Sequence, residues 1–349
     1  MADHRTLALD AMGGDHGPSV VIPGAAIALR KHPELRAVLF GDEAQIRSHL
    51  SAAADLSSRI EVRHTDLVVA MDAKPSQVLR RGKGSSMWLA LEAVKAGEAD
   101  FAVSAGNTGA LMALARMVLG SIEGIDRPAL AGQWPTIGRP AIVLDVGANV
   151  GATSRELAAF ALMGAAMSRA LFGIERPKVG LLNVGVEEIK GVDEVKQAHA
   201  WLKQLDLGLD YHGYVEGDQI GQAVVDVVVV EGFAGNIALK TAEGTARQIA
   251  TYLKEAMTSS AASKLGALLA RGGFATLKDR MDPRRVNGGT FLGLSGVAIK
   301  SHGGTDAVGF ASAIEVGYGM STSGIVRQLE TEIAAFHGKI EALASQQKA

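Results

Sequence analysis

Residues 6–15 read TLALDAMGGD, a short β-rich run that leads directly into a turn with two carboxylates and two glycines. Short apolar runs of this kind are typical of strands buried on both faces of a parallel sheet. The turn after such a strand lies at the carboxyl edge of the sheet, where α/β proteins bind ligands. The stretch predicts an α/β fold with a candidate binding site at Asp10, Gly13, Gly14 and Asp15, although a strained turn with solvated acids would give the same pattern.

The alternation of strand and helix continues along the chain. Strands are predicted over residues 6–9, 37–40, 59–64, 101–104, 141–146, 178–184 and 224–230. Helices are predicted over residues 23–31, 45–54, 86–96, 108–119, 155–173 and 193–205. This pattern predicts a three-layer α/β/α sandwich around a mostly parallel sheet.

The chain shows no sign of division into several domains. No Pro- or Ser-rich linker interrupts it, so residues 1–349 are expected to form a single domain. Residues 244–285 stay helical with no strand between them. That segment is therefore expected to form a long helical hairpin that projects from the sandwich.

The composition excludes several classes of protein. Hydrophobic residues make up 48% and charged residues 21% of the 349 residues, as in a globular chain rather than a disordered one. The absence of cysteine excludes disulfides, thiolate metal sites and a cysteine nucleophile. A net charge of −2 does not suit a dedicated nucleic-acid binder, so no nucleic-acid partner is expected. Neither a metal nor another cofactor is expected, and the start of the sequence lacks a signal-peptide pattern, which favours the cytoplasm.

A second candidate anion site lies in the motif RRGKGSS, which begins at Arg80. Three cations precede a pair of serines at a predicted helix start, where free N–H groups and the helix dipole favour an anion. The pattern favours phosphate binding by Lys83, Ser85 and Ser86. Serine also caps helices for purely structural reasons, so both interpretations stay open.

A third glycine-rich turn, SAGNTG, lies between a predicted strand and a predicted helix at residues 104–109. Its backbone N–H groups and the side chains of Asn107 and Thr108 could hold a phosphate or a carbonyl oxygen, with Gly106 allowing close approach. The alternative is an ordinary turn between a strand and a helix.

Three further polar segments are candidates for catalysis. The motif NVGVEEIKG places Asn183 and Lys190 at a strand end, and a Gly-Asn turn before a later helix contains Asn236. The motif KSHGGTD places His302 and Asp306 in one loop. An imidazole with a pKa near 6.5 suits acid–base work, although a lone histidine is more often structural.

Taken together in this order, these motifs resemble the bacterial phosphate acyltransferase family of phospholipid synthesis (acyl-[acyl-carrier-protein]:phosphate acyltransferases). The matching segments are LALDAMGGDHGP (7–18), RRGKGSSM (80–87), SAGNTGALM (104–112), LDVGANV (144–150), RPKVGLLNVGVEEIKG (176–191), VEGFAGNIALKTAEG (230–244) and LGLSGVAIKSHGGTDA (292–307). They span nearly the whole chain. Gly151 and Ala152 stand where the family typically has Asp-Cys, and Asn287 stands where it typically has Tyr. The first departure indicates that no cysteine in that loop is essential to the chemistry.

The resemblance implies a reaction and its partners. The family transfers a long fatty acyl group from acyl carrier protein to inorganic phosphate, without a cofactor. A membrane glycerol-3-phosphate acyltransferase then uses the acyl phosphate. The resemblance also implies a homodimer and the three-layer fold shared with phosphotransacetylases and isopropylmalate dehydrogenases.

The chemistry of this reaction suggests three roles for the candidate residues. The leaving thiolate, with a pKa near 8.5, needs little acid help, whereas the phosphate must be held and the oxyanion stabilised. Phosphate is expected at Lys83, Ser85, Ser86 and the turn at residues 106–108. The thioester and its oxyanion are expected near Asn183, Lys190 and Asn236. Orientation of groups and proton handling are expected from Asp10, Asp15, His302 and Asp306.

The distal part of the predicted hairpin combines leucines at helical spacing with an excess of cations. The residues expected to contact a membrane or the carrier protein are Leu265, Leu268, Leu269, Arg271, Phe274 and Lys278. A basic amphipathic surface suits anionic lipid or an acidic carrier, which would place the protein peripherally at the inner face of the cytoplasmic membrane. Packing of the apolar stripe against a second subunit is the alternative.

Two rival functions stay open at this stage. A dehydrogenase of the isopropylmalate type would need clustered metal-binding aspartates and an adenine-binding loop, and the sequence offers neither. A non-catalytic scaffold that recruits lipid enzymes to the membrane would bind carrier protein without consuming its thioester.

Overall fold

The computed structural model describes residues 4–346. The strands are β1 (Arg5–Asp10), β2 (Leu35–Gly41), β3 (Ile60–His64), β4 (Phe101–Ser104), β5 (Ala129–Trp134), β6 (Ala141–Leu144), β7 (Lys178–Leu182), β8 (Asp210–Val215), β9 (Val227–Val229), β10 (Gly289–Leu292) and β11 (Val297–Lys300). The helices are α1 (Pro18–Lys31), α2 (Glu43–Leu50), α3 (Pro75–Arg81), α4 (Ser86–Lys95), α5 (Thr108–Leu119), α6 (Ser154–Phe172), α7 (Asp193–Gln204), α8 (Gly232–Thr258), α9 (Ala261–Leu269), α10 (Arg271–Arg280), α11 (Ala307–Thr322) and α12 (Ile325–Gln346). Short 3₁₀ segments cover Ser51–Arg59, Gly217–Gln222 and Pro283–Val286.

The described strands form one 11-stranded sheet in the order β3-β2-β1-β4-β11-β10-β5-β6-β9-β7-β8. Within it, β3, β2, β1, β4 and β11 are parallel, and so are β6, β9, β7 and β8. Three antiparallel pairings through β10 and β5 join these two groups. Because three reversals separate them, the two groups run in opposite directions and their carboxyl ends lie at opposite edges of the sheet.

Helices cover both faces of the sheet, as the alternation of side chains in β1 shows. Leu7 and Leu9 belong to a core with residues of α1, α6 and α11, whereas Ala8 belongs to a second core with residues of α4 and α5. Successive side chains of a strand point to opposite faces, so one sheet supports two apolar layers. The predicted three-layer α/β/α sandwich with a mostly parallel sheet is confirmed.

The sequence patterns missed four strands and misplaced several boundaries. The strands β5, β8 and β10 contain glycine or polar residues, and β11 has only three apolar residues before Lys300, which weakens the apolar signal. The predicted strand over residues 224–230 is shortened to β9 (Val227–Val229), although the backbone of Val230 still exchanges hydrogen bonds with Leu144 and Asp145. α1 begins at Pro18, five residues before its predicted start, because proline is favoured in the first helical turn.

The segment predicted as a helical hairpin forms the distal part of α8 together with α9, α10 and a 3₁₀ turn. α8 already begins at Gly232, and Ser260 caps α9 by accepting a hydrogen bond from the Ser263 N–H at 3.0 Å. None of the side chains described between residues 241 and 280 is buried. The division of the chain into one domain with this projection stays a prediction.

No helix within residues 4–346 is both long enough and apolar enough to cross a membrane.

Candidate active site

The carboxyl ends of β1, β4 and β11, here called the first edge, bring Asp10, Ser104 and Lys300 side by side. Asp10 is the last residue of β1 and is only 2% exposed. Its carboxylate accepts hydrogen bonds from the hydroxyls of Ser86 and Ser104, each at 2.6 Å. Burial raises the pKa of Asp10 above its usual range, and the two hydroxyl donors oppose that rise. Four separate segments of the chain thus build this cluster.

Lys300 is the cation of the first edge, and the sequence patterns did not single it out as a site residue. Its ammonium donates to the Ala105 carbonyl at 3.3 Å and to the Ser301 carbonyl. Burial lowers the pKa of Lys300 to about 8, although the carboxylates of Asp15 and Asp10 act in the opposite direction. A lysine at the end of an apolar strand beside a glycine-rich loop was the available signal. The first edge therefore holds an amine that is charged at neutral pH and loses its proton just above it.

Two glycines let the loop after β1 lie against its neighbours. A Cβ at Gly13 would lie 2.6 Å from Asp10 Oδ2 and 2.8 Å from the Gly106 nitrogen, and Gly14 has a φ of +89°. The loop then contacts the one after β11, since the Asp15 N–H donates to the Gly303 carbonyl at 3.0 Å. The structure thus brings the first motif, the turn at Gly106 and the loop after Lys300 together.

The serine pair of the second motif is engaged inside the protein. Ser85 caps α4 by accepting a hydrogen bond from the Trp88 N–H at 3.3 Å, and its hydroxyl donates to the Gly82 carbonyl at 2.6 Å. Ser86 is fully buried and donates to Asp10. Lys83 is exposed. The bonds that the structure shows for both serines are therefore structural, and phosphate binding by them stays a prediction.

Asn107 combines helix capping with a contact to a neighbouring segment. Its Oδ1 accepts a hydrogen bond from the Ala110 N–H at 2.8 Å, and its Nδ2 donates to the Met71 carbonyl at 2.6 Å. The Gly106 N–H donates to Ser104 Oγ at 3.0 Å, and Thr108 is exposed at the start of α5. This turn adjoins the Asp10 cluster, and binding of a phosphate or a carbonyl oxygen by it stays a prediction.

The loop after β11 places His302 and Asp306 differently. The His302 N–H donates to Asn287 Oδ1 at 3.0 Å, and its ring Nδ1 lies 3.3 Å from the Gly304 nitrogen. Asp306 caps α11 by accepting from the Gly309 N–H at 3.0 Å, and its other oxygen accepts from Arg284 at 2.9 Å. The Gly309 N–H and the Arg284 guanidinium hold the pKa of Asp306 below its usual range. The His302 side chain is exposed, whereas Asp306 organises the loop.

Asn183, Lys190 and Asn236 lie elsewhere, at the carboxyl ends of β6, β9 and β7, here called the second edge. The Nδ2 of Asn183 donates to the carbonyls of Gly185 at 3.0 Å and Lys190 at 3.1 Å, which closes its loop. Lys190 pairs with Glu187 at 3.4 Å on the surface. Asn236 donates to the Val146 carbonyl at 3.2 Å. The direction of the strands separates these three residues from the Asp10 cluster within one chain.

The second edge has a buried carboxylate of its own, Asp145, which the sequence patterns also missed. Oδ1 accepts from the N–H groups of Leu130, Gly147 and Ala148, and Oδ2 accepts from the backbone and the side chain of Asn149. Burial raises the pKa of Asp145, and these donors oppose the rise. Every partner except Leu130 belongs to the loop that follows Asp145, so this carboxylate folds its own turn.

The stripe on α9 is exposed to solvent. Leu265, Leu268 and Leu269 are 58%, 60% and 80% exposed. Arg271 is exposed and Phe274 is half-buried, whereas the side chain of Lys278 lies outside the part that the structure describes.

The fold is the one found in phosphotransacetylases. A phosphotransacetylase from Streptococcus pyogenes superposes with a TM-score of 0.63 at 16% identity, covering 92% of this chain and 95% of that one. Likeness at this identity establishes the fold alone.

The sequence comparisons define the family. Residues 5–328 match the family described as "Fatty acid synthesis protein". A protein named phosphate acyltransferase from Afipia carboxidovorans is 57% identical over 351 residues, covering 100% of this chain and 99% of the relative. A protein of the same name from Azorhizobium caulinodans is 59% identical over 329 residues, covering 94% and 93%. The chain belongs to this family, as the motifs predicted.

Proposed function

We propose that the chain transfers a long-chain fatty acyl group from the thioester of acyl carrier protein to inorganic phosphate, for use in phospholipid synthesis. The relatives named phosphate acyltransferase align with this chain over nearly its whole length. The observation that carries the proposal is the cluster of Asp10, Ser104 and Lys300, which sets a cation beside buried polar groups at the first edge. Phosphate, the proposed nucleophile, is an anion, and a cation beside polar groups offsets its charge when it binds.

The reaction balances without a covalent enzyme intermediate. A phosphate oxygen attacks the thioester carbonyl, a C–O bond forms, the C–S bond breaks, and the carrier leaves as a thiolate. A thiolate with a pKa near 8.5 is an adequate leaving group, so the protein's contribution is positioning and charge stabilisation. The absence of cysteine is consistent with direct transfer.

The residues of the first edge take distinct parts in this proposal. The ammonium of Lys300 offsets the charge of the incoming phosphate. Asp10, held by Ser86 and Ser104, fixes the local arrangement, and His302 handles protons at the mouth of the loop. The thioester is contacted from the partner subunit of a homodimer, by Asn183, Lys190 and Asn236 at the second edge of that subunit.

Mixing two inactive variants tests the shared arrangement. The Asp10→Asn and Lys190→Ala variants are mixed in the unfolded state and refolded together, so that mixed dimers form. If the two edges cooperate across subunits, mixed dimers recover part of the wild-type rate. If each chain needs both residues of its own, or the protein is monomeric, the mixture stays inactive.

One assay tests the reaction itself. The protein is incubated with acyl carrier thioester and phosphate, and acyl phosphate is trapped with hydroxylamine as the hydroxamate. Hydroxamate that depends on both phosphate and protein is the expected result. Thioester loss that ignores phosphate would show a hydrolase, formation of NADH from a hydroxy acid would show a dehydrogenase, and carrier binding without turnover would show a scaffold.

The hairpin formed by α8, α9 and α10 is proposed to hold the protein peripherally at the cytoplasmic face of the membrane. A long-chain acyl phosphate is poorly soluble, and the product acceptor, a glycerol-3-phosphate acyltransferase, is a membrane enzyme. The exposed Leu268 and Leu269 are the apolar side of this contact, and the neighbouring cations suit anionic lipid.

Leu268→Glu with Leu269→Glu is predicted to abolish binding to vesicles that contain phosphatidylglycerol while acyl phosphate formation in solution continues. Ile137→Glu is the matched control, because Ile137 is an exposed apolar residue, at 87%, away from the hairpin. Wild-type binding should weaken with salt, since surface charges are screened within about 8–10 Å. If the double variant is monomeric and the wild type does not bind vesicles, the stripe belongs to a subunit interface.

A further inference from the structure

The segment of residues 65–84 carries a concentration of unpaired positive charge. Lys74, Arg80, Arg81 and Lys83 are all exposed, and within residues 4–346 no ion pair engages any of them. The acids of the segment are Asp66 and Asp72, and Asp66 already lies 3.3 Å from His64. This local excess of cations contrasts with a net charge of −2 for the whole chain.

The same segment contacts the candidate active site through two hydrogen bonds and one packing contact. The Ser86 N–H donates to the Leu67 carbonyl at 2.9 Å, and the Asn107 side chain donates to the Met71 carbonyl at 2.6 Å. A Cβ built at Gly303 would lie 2.9 Å from Met71 Cε, so the methionine packs against the loop after β11. The segment therefore forms one wall of the first edge.

Apolar side chains are exposed between the cations. Leu67, Val68 and Leu79 are 53%, 47% and 41% exposed. An apolar centre with a charged rim is the usual composition of a protein interface. The burial of Val78 below them, in the core with residues of α5, fixes α3 to the body of the protein.

We propose that residues 65–84 form the docking surface for the acyl carrier protein, with Arg80 and Arg81 meeting an acidic face of the carrier. This inference rests on the proposed function, since it names where the acyl donor binds. Charge complementarity selects the occupant: a surface rich in unpaired cations attracts an acidic protein. The position of the surface also favours the carrier protein, because the segment forms one wall of the first edge. A thioester delivered here reaches the Asp10 cluster past Met71.

The proposal gives the cations of the second motif a role other than phosphate binding. Ser85 and Ser86 spend their hydroxyls on Gly82 and Asp10, while the cations beside them point to solvent. A carrier protein would meet these exposed charges first, and phosphate would be held deeper, near Lys300.

The test measures how fast one double variant and one control double variant use each of two acyl donors. Arg80→Glu with Arg81→Glu is assayed with acyl carrier protein and with the same acyl chain on uncharged pantetheine. The matched control is Arg36→Glu with Lys95→Glu, which changes the charge equally; both residues are exposed, Arg36 near the start of β2 and Lys95 at the end of α4. Binding of acyl-free carrier protein is titrated separately.

The expected result is specific to the carrier. The Michaelis constant for acyl carrier protein rises on the order of tenfold or more and loses much of its salt dependence, while turnover of acyl pantetheine and the control variant are unchanged. Equal loss with both donors, or an unchanged constant for the carrier, overturns the proposal. Loss of binding to phosphatidylglycerol vesicles with carrier binding intact assigns the surface to a membrane and also overturns it. A wild type that binds carrier protein here but forms no acyl phosphate would refute the proposed function and leave the docking surface standing.

Discussion

Asp10 and Asp145 occupy matching places in the two halves of the sheet, yet their carboxylates are held differently. Each lies at the carboxyl end of a buried strand, and burial raises the pKa of each. Asp145 is held mostly by the loop that follows it. Asp10 also has backbone hydrogen bonds with Met12 and Gly13 of its own loop, but two of its donors are hydroxyls from distant parts of the chain. A buried carboxylate that folds its own loop indicates structure, whereas one assembled from several segments beside an amine indicates a site.

The largest expected effect is on stability at the second edge. Asp145→Ala removes the acceptor of five hydrogen bonds. A buried donor without a partner costs about 1–3 kcal/mol, so a loss of at least about 3 kcal/mol in the free energy of unfolding is expected. Urea unfolding measures it, and Asp145→Asn, which keeps one acceptor, should lose less. A variant as stable as the wild type would break the comparison, because Asp145 would then have no structural role.

Lys300 predicts a pH dependence of stability that belongs to the first edge. Its pKa is about 8 in the folded protein and about 10.4 in an unfolded chain. Between these values the unfolded state binds more protons, so stability rises with pH. Below pH 8 the buried charge costs the folded protein up to about 3 kcal/mol, at about 1.36 kcal/mol per pKa unit.

Removal of the Lys300 charge should therefore show in a matched pair of variants. The free energy of unfolding of the wild type, relative to that of Lys300→Met, should rise by up to about 3 kcal/mol between pH 7 and pH 10. Lys95→Met, at an exposed lysine, should show no such trend. Wild-type turnover should also fall as pH rises through about 8. A pH-independent difference would show that Lys300 keeps its usual pKa.

The smallest expected effect concerns Asn107, whose oxygen caps α5. Loss of a capping side chain costs about 1 kcal/mol, so Asn107→Ala should lower stability by that amount, and Asn107→Asp should restore most of it. Thermal unfolding together with turnover per folded molecule measures both roles. A large drop in turnover that Asn107→Asp does not rescue would show that the amide N–H contributes to the chemistry.

The fold was predictable because short apolar strands alternate with alanine-rich helices along much of the sequence. The missed strands β10 and β11 are only four residues long, and their pairing depends on partners far away in the chain. For the same reason the sequence could not show that Asn183 and Asp10 face opposite edges. Glycine-rich motifs indicated the loops after β1, β4 and β11, which the structure brings together around Asp10. They could not reveal that Ser86 donates to Asp10, that Asp306 caps a helix, or that Lys300 is half-buried, since those facts follow from packing.

The most direct test of the account is the rate of phosphate-dependent hydroxamate formation by Asp10→Asn, per folded molecule. A fall on the order of 10²-fold or more is expected, comparable to the loss of one preorganised hydrogen-bonding group, with cooperative unfolding retained. Asp145→Asn, judged in the same way, should keep a rate near that of the wild type. Wild-type activity in Asp10→Asn, with activity lost in folded Asp145→Asn, would place the reaction at the second edge and contradict the account.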